Sequence, residues 1–284
     1  MPARVLIIDG NTPEGTKKIV SLGGRPYGEG YTRALRTFDP GLEVTVIEGA
    51  TGEALPAGVS LADYDGIAWT GSPLSAYEDQ PEVERQIELA KAVHASRVPC
   101  FGSCWGQQIM CQALGGKVRA NPNGIEIGVA REISLTASGA AHPMYAGKAS
   151  PFDALAIHRD EVEILPPGGV VLARNGMSAI QAMELAGENG NFWGVQYHPE
   201  FDFALMALLY RRDEEVLVET GLCSSVNEVE AIAADFTRLD NEPGNSALAR
   251  KHRLDADVLD PRLRMAEFAN WLEAKVYPRA SARS

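Results

Sequence analysis

Cys104 sits between two glycines in the run Gly102-Ser103-Cys104-Trp105-Gly106. A thiol can serve as a nucleophile there if the chain turns sharply and lifts it above a sheet edge. Glycine two residues before and two after leaves room for neighbouring backbone at such a turn. A helix starting just past the cysteine directs free amides and a positive dipole end at the sulfur. That predicts a lowered thiol pKa and a place for an oxyanion. Cys100, within an apolar strand, and Cys111, in the middle of a helix, lack this setting and read as ordinary buried cysteines.

A nucleophilic thiol needs an imidazole to take its proton and return it to a leaving amine. The imidazole needs a carboxylate to fix its tautomer. Gly194-Val195-Gln196-Tyr197-His198-Pro199-Glu200 supplies both. In extended chain, residues i and i+2 share a side, so His198 and Glu200 can face one space. Pro199 cannot donate to a ladder and suits a strand end.

These groups must be held by a scaffold. From residue 1 to about 203, short apolar runs alternate with helical patterns, which predicts βα units on a mostly parallel sheet. The expected strands begin with Val5–Asp9, Glu43–Ile47, Gly66–Thr70 and Val98–Gly102. A glycine-rich stretch, Gly10–Gly30, precedes a helix containing Tyr31–Phe38. Asp79 with Glu82 reads as a capping box for a helix striped by Val83, Ile87, Ala90 and Val93. Cys104 then falls between strand and helix, and the helix stops at Gly115-Gly116. Further strands are expected at Ile125–Leu135, Phe152–Ile157, Gly169–Ala173, Ile180–Glu184 and Phe192–Tyr197.

After about residue 204 the pattern is helical. Phe203–Thr220 is followed by a helix capped by Ser225 and Glu228. A last helix starts at Asp260-Pro261, striped by Met265, Phe268, Leu272 and Val276. The expectation is a catalytic domain over 1–203 and a helical extension over 204–284 that packs on it or completes it.

The 284 residues carry 26 basic and 38 acidic side chains, a formal charge of −12. That balance argues against nucleic acid or an anionic membrane as partner. No apolar run is long enough to span a bilayer, and Met1 to Arg4 lead straight into a strand with no secretory-signal pattern. The cysteines have no zinc spacing, and no HExxH or paired CxxC occurs, so neither metal nor cofactor is expected. A cytoplasmic setting with free thiols follows.

The two motifs, Gly102-Ser103-Cys104-Trp105-Gly106-Gln107-Gln108 and Gly194 to Glu200, lie in that order about ninety positions apart. Together they resemble class I, triad-type glutamine amidotransferases, over residues 1 to about 202 and again at Arg264–Leu272. His158-Arg159-Asp160-Glu161-Val162 with Leu165-Pro166 looks closest to free-standing relatives of the GMP synthetase amidotransferase domain. The resemblance implies a flavodoxin-like doubly wound sheet. It implies that Cys104 forms a γ-glutamyl thioester, with His198 as acid/base and Glu200 as its orienter. Gln108 matches the residue that holds the substrate's amino-acid end, and His158 either lines the site or is structural. The implied oxyanion donors are the amide of Trp105 and one from the turn at Gly71 and Ser72, where many members have a second glycine in place of Ser72. Gly124 to Gly128 falls where relatives make main-chain substrate contacts.

Three functions fit the resemblance. One is a glutaminase subunit passing ammonia to a separate synthetase. The second is a stand-alone hydrolase of γ-glutamyl peptides or amines. The third is a non-catalytic binding protein on an enzyme fold, against which the intact Cys104, His198 and Glu200 argue. No phosphate-binding loop is present, and the residues after 204 are too few for an ATP-using acceptor domain. The substrate in either enzyme reading is a small γ-glutamyl molecule.

Overall fold

Val5, Leu6, Ile7 and Ile8 have no exposed surface, and this run forms β1 (Arg4–Asp9). An apolar run bounded by polar residues at both ends reads as a strand covered on both faces. The same logic builds β3 (Gly66–Trp69) and β4 (Cys100–Ser103), whereas β2 (Glu43–Glu48) is the partly exposed edge strand, with Ile47 buried and Val46 exposed. The computed structural model describes residues 2–185 and 191–283. The remaining strands are β5 (Lys117–Ala120), β6 (Glu126–Leu135), β7 (Phe152–His158), β8 (Asp160–Ile164), β9 (Gly169–Arg174), β10 (Ala182–Leu185) and β11 (Phe192–Val195).

Nine of these form one sheet in the order β2-β1-β3-β4-β11-β10-β9-β6-β7. The first five run parallel, with β11 beside β4 in the register Val195↔Ser103. The last four continue the sheet in antiparallel fashion. β5 and β8 make a separate two-stranded ribbon. This is the α/β sheet of the expected class, extended at one side by hairpins. In open parallel sheets the crevice at the carboxyl ends of the strands is where ligands bind. β1, β3, β4 and β11 all end at that edge.

Helix α1 (Pro13–Ser21) lies within the glycine-rich stretch Gly10–Gly30, where the sequence pattern predicts no helix. Thr12 caps it by accepting from the Gly15 amide at 3.0 Å, and Pro13 starts it with its preset φ. Helix α2 (Tyr27–Arg36) starts within the glycine-rich stretch and ends two residues short of Phe38, which the pattern places inside it. Helix α3 (Pro81–Ser96) has Gln80 at its N-cap with no side-chain cap bond, so the Asp79 capping box does not form. Pro81 alone marks that start. Helix α4 (Trp105–Ala113) ends before Gly115, whose φ of +89° is the left-handed stop glycine permits.

The segment expected as one helix over Phe203–Thr220 is two, Phe203–Arg212 and Glu214–Glu219, broken at Asp213. Ser225 caps Val226–Asn241 by accepting from the Glu228 amide at 3.3 Å, while Glu228 turns to Ser224 instead of reciprocating. The last stretch is three short α segments within 261–283, interrupted by a π turn at Leu272–Val276. Its stripe is buried as the pattern predicts: Phe268 and Trp271 pack on Phe101 and Tyr31 in the core beneath the sheet. Helices Phe203–Arg212 and Val226–Asn241 join through Phe203 and Phe236 and cover Leu155 of β7. Among the described residues no helix is long and apolar enough to cross a membrane.

Candidate active site

Cys104 joins β4 to α4 with φ +48° and ψ −100°, a backbone conformation costly for a residue with a Cβ. Two glycines make the turn possible. A Cβ on Gly102 would stand 2.6 Å from the Gly106 carbonyl carbon, and one on Gly106 would stand 2.7 Å from the Trp69 oxygen. The Cys104 amide is tied to the Val195 carbonyl at 2.7 Å, locking the elbow to β11.

β11 ends at Val195, so His198, Pro199 and Glu200 lie in the turn beyond it instead of in extended strand. The pair still meets: His198 Nδ1 is 2.7 Å from Glu200 Oε1. The imidazole stacks flat on Phe201, centroids 3.8 Å apart, and its Nε2 has no hydrogen-bond partner among the described residues. Cys104, His198, Gln108, Gly71 and Ser72 all line one cavity of about 280 Å³ at the carboxyl edge of the sheet. Gly71 lies against His198: a Cβ there would come within 2.7 Å of the ring.

The thiol itself departs from expectation. Burial, reinforced by the negative charges of Glu200 and Asp160, pushes its pKa up to about 12, against a pull downward from the Trp105 amide and Gln196. Desolvation of a thiolate at a site 6% exposed exceeds what one helix end returns. The Cys104 sulfur lies 3.7 Å from the Ile157 carbonyl oxygen, to which the thiol can donate weakly.

Gln108 is 3% exposed, with its Nε2 bonded to the Asp160 carbonyl (3.1 Å) and Gln196 Oε1 (3.2 Å). His158 reaches the cavity wall, but both ring nitrogens are engaged: Nε2 with Glu126 at 2.7 Å, Nδ1 with the Asp160 carbonyl at 3.0 Å. It braces the wall more than it offers a free group. Three side chains here were not singled out from sequence. Ser103 and Tyr31 connect to Glu200, and Asp160, held by Ser75 (2.7 Å) and Tyr77 (3.1 Å), presents a buried carboxylate. Asp160 carried a signal in its place beside His158, and Ser103 in its place beside the thiol. Tyr31 carried none.

Lys18, Arg159 and the Arg212–Asp213 ion pair (2.7 Å) also line the cavity. Among the described residues no group of His, Cys, Asp and Glu is arranged to hold a metal ion, and all four cysteines are free thiols. An elbow thiol, a paired imidazole and carboxylate, and amides at the start of a helix can together perform acyl transfer from an amide.

Fold and sequence together define the class: the chain belongs to the glutamine amidotransferase class-I family, whose signature matches residues 27–210. It is similar to the γ-glutamyl-L-1-hydroxyisopropylamide hydrolase of a Pseudomonas species, 35% identical over 283 residues, covering 99% of this chain and 95% of the relative. It is also similar to the GMP synthase of Thermomicrobium roseum, 36% identical over 136 residues, but that match covers 48% of this chain and 23% of the synthase. A glutamine amidotransferase structure from Thermotoga maritima shares the fold, with a TM-score of 0.65 at 17% identity over 89% of this chain and 98% of the other.

Proposed function

We propose that this chain is a stand-alone hydrolase of γ-glutamyl amides, working through a γ-glutamyl thioester on Cys104. The observation that carries the reading is one cavity lined by the elbow thiol and by His198, whose far nitrogen is held by Glu200. His198 Nε2 takes the thiol proton as the sulfur adds to the amide carbon. The oxyanion is held by the Trp105 amide and one from Gly71 or Ser72. His198 then protonates the departing amine as the C–N bond breaks. Water, deprotonated by His198, cleaves the thioester and releases glutamate. Gln108 is assigned to the glutamyl end of the substrate, and His158 to the wall behind it. The raised thiol pKa favours this general-base route over a resting thiolate.

The extent of similarity favours hydrolysis without a partner. The Pseudomonas hydrolase matches this chain through its C-terminal helices, whereas the GMP synthase match covers about half of it. Residues 204–284 are accordingly assigned as an extension that completes the catalytic domain. Four free thiols suit a reducing, cytoplasmic setting. A glutaminase that passes ammonia to a separate synthetase is the second reading, resting on the GMP synthase relationship.

The purified chain is to be given γ-glutamyl-L-1-hydroxyisopropylamide, a set of γ-glutamyl peptides, and glutamine, with glutamate release as readout. Turnover of an amine or peptide conjugate, lost in Cys104→Ala, supports the first reading. Activity on glutamine alone, or only after a synthetase is added, supports the second. Undiminished turnover by a folded Cys104→Ala enzyme sinks both.

A further inference from the structure

We infer that Ser103 and Tyr31 are positioning residues for the His198–Glu200 pair, forming a chain of two hydroxyl donors that ends on the carboxylate. The inference rests on the catalytic reading above. Ser103 Oγ lies 2.9 Å from Glu200 Oε1, the same oxygen that faces His198 Nδ1 at 2.7 Å. An ionised carboxylate only accepts, so the Ser103 proton points at Glu200. That proton is then committed, and at 2.5 Å the Tyr31 hydroxyl must donate to Ser103. The direction of the whole chain follows: Tyr31 to Ser103 to Glu200, met from the other side by His198.

The chain is built to stay in that state. Both hydroxyl side chains have no exposed surface. Burial first, and then the charge of Glu200, holds the Tyr31 phenol well above its usual range, so it remains a donor. Its ring is clamped by Phe268 at 5.1 Å, and Ser103 is held in register opposite Val195. Glu200 Oε2 has no hydrogen-bond partner among the described residues. Among the described residues, Ser103 is therefore the only hydrogen-bond donor to this carboxylate besides His198. Cys104 and Asp160 add negative charge or a thiol on the cavity side of the pair, and Arg25, Asp202 and Arg264 share the second cavity that Glu200 lines.

Two consequences follow. An oriented, ionised Glu200 keeps the His198 proton on Nδ1 and leaves the Nε2 lone pair for the thiol. Donation from Ser103 also spreads the carboxylate's charge. Removing it raises the proton affinity of the pair as a unit, whichever member carries the proton.

The test is the rate at which 6-diazo-5-oxo-norleucine, a glutamine-shaped electrophile, adds to Cys104, read by intact mass across the pH range, with glutamate release alongside. Ser103→Ala is expected to slow addition about 10- to 100-fold, with the acid limb displaced upward by roughly half to one pH unit. Ser103→Thr, which keeps the hydroxyl, should restore both. Tyr31→Phe should act in the same direction, by about 3- to 10-fold. A wild-type rate in Ser103→Ala, or a slower rate with an unmoved acid limb, overturns the inference. If Ser103→Ala does not fold, Tyr31→Phe decides by the same two readouts. If wild-type Cys104 takes no adduct, the catalytic reading falls and this inference with it. If it does, and Cys104→Ala does not, an unchanged Ser103→Ala removes the inference alone.

Discussion

Glu267, in the C-terminal helical segment, accepts a hydrogen bond at 2.6 Å from the hydroxyl of Tyr197, the residue immediately before His198. The same carboxylate oxygen pairs with Lys148 at 2.5 Å, and Tyr197 in turn meets Tyr145 at 3.0 Å. The Lys148 and Glu267 side chains are 3% and 0% exposed. Together with the Tyr31–Phe268 contact, this fastens the end of the described chain to the segment that carries the imidazole.

Removing one partner of such a buried pair strands the other charge. Lys148→Met should cost about 3–5 kcal/mol of folding stability, seen as a lower denaturant midpoint. The double variant Lys148→Met/Glu267→Leu should recover much of that loss. If Lys148→Met unfolds at the wild-type midpoint, the pair contributes nothing.

The elbow is the next test. Ala at Gly106 would press on the Trp69 carbonyl, which belongs to β3 and cannot swing away. Gly106→Ala should lose about 1–3 kcal/mol by overpacking. Activity should fall further than stability, because the shift is absorbed at Cys104. Thermal unfolding and glutamate release on one preparation separate the two effects.

Glu200→Gln keeps an acceptor for His198 but removes the charge that stabilises the imidazolium. The kcat should fall by roughly 10²–10³-fold, less than the loss in Cys104→Ala, with KM little changed. Equal loss in the two variants would count against an orienting role for Glu200.

Buried thiols make the protein sensitive to alkali. Cys104 and Cys111 are both pushed by burial to about 12 from an ordinary 9.0, and Cys100 is pushed the same way. The folded chain thus holds protons that the unfolded chain releases above about pH 9, so stability falls as pH rises. The slope is at most about 1.4 kcal/mol per pH unit for each thiol. Urea midpoints between about pH 8 and 11 should decline less steeply in Cys111→Ser, once its own cost at neutral pH is subtracted.

Acid acts through Glu126. Burial alone would raise its pKa, but hydrogen bonds from His158, Asn175 and Gln181 outweigh that and hold it below the usual 4.5. A carboxyl depressed in the folded state contributes stability above that value and loses it as pH falls through the folded one. Glu126→Gln should flatten the acid side of the stability profile. An unaltered acid side would mean that other carboxylates dominate.

What was legible in the sequence follows from how locally each feature is encoded. β1 and β3 could be read because an apolar run ended by Asp or Thr states its own limits, whereas the run from Val98 becomes strand only at Cys100. The Cys104 elbow could be read because Gly102 and Gly106 act within five residues. Helix α1 was missed because Gly15 and two lysines dilute its apolar pattern, although Thr12 and Pro13 mark its start. The thiol's pKa was misjudged because the helix end is visible in sequence whereas burial is not. The contact of Tyr31 with Ser103 spans 72 positions, and no spacing rule brings such residues together.

The fastening of residues 264–283 has a consequence for biosynthesis. Phe268 clamps Tyr31, Glu267 holds Tyr197, and Arg283 reaches Asp65 at the foot of β3, 2.7 Å away. Every residue of the proposed triad has left the ribosome well before these partners emerge. A nascent chain that already displays Cys104, His198 and Glu200 still lacks the ring that braces Tyr31 and the carboxylate behind Tyr197. Contacts between such distant stretches pay the loop-closure entropy of the chain between them. The stretch 264–283 can brace Tyr31 and Tyr197 only once it has itself been synthesised.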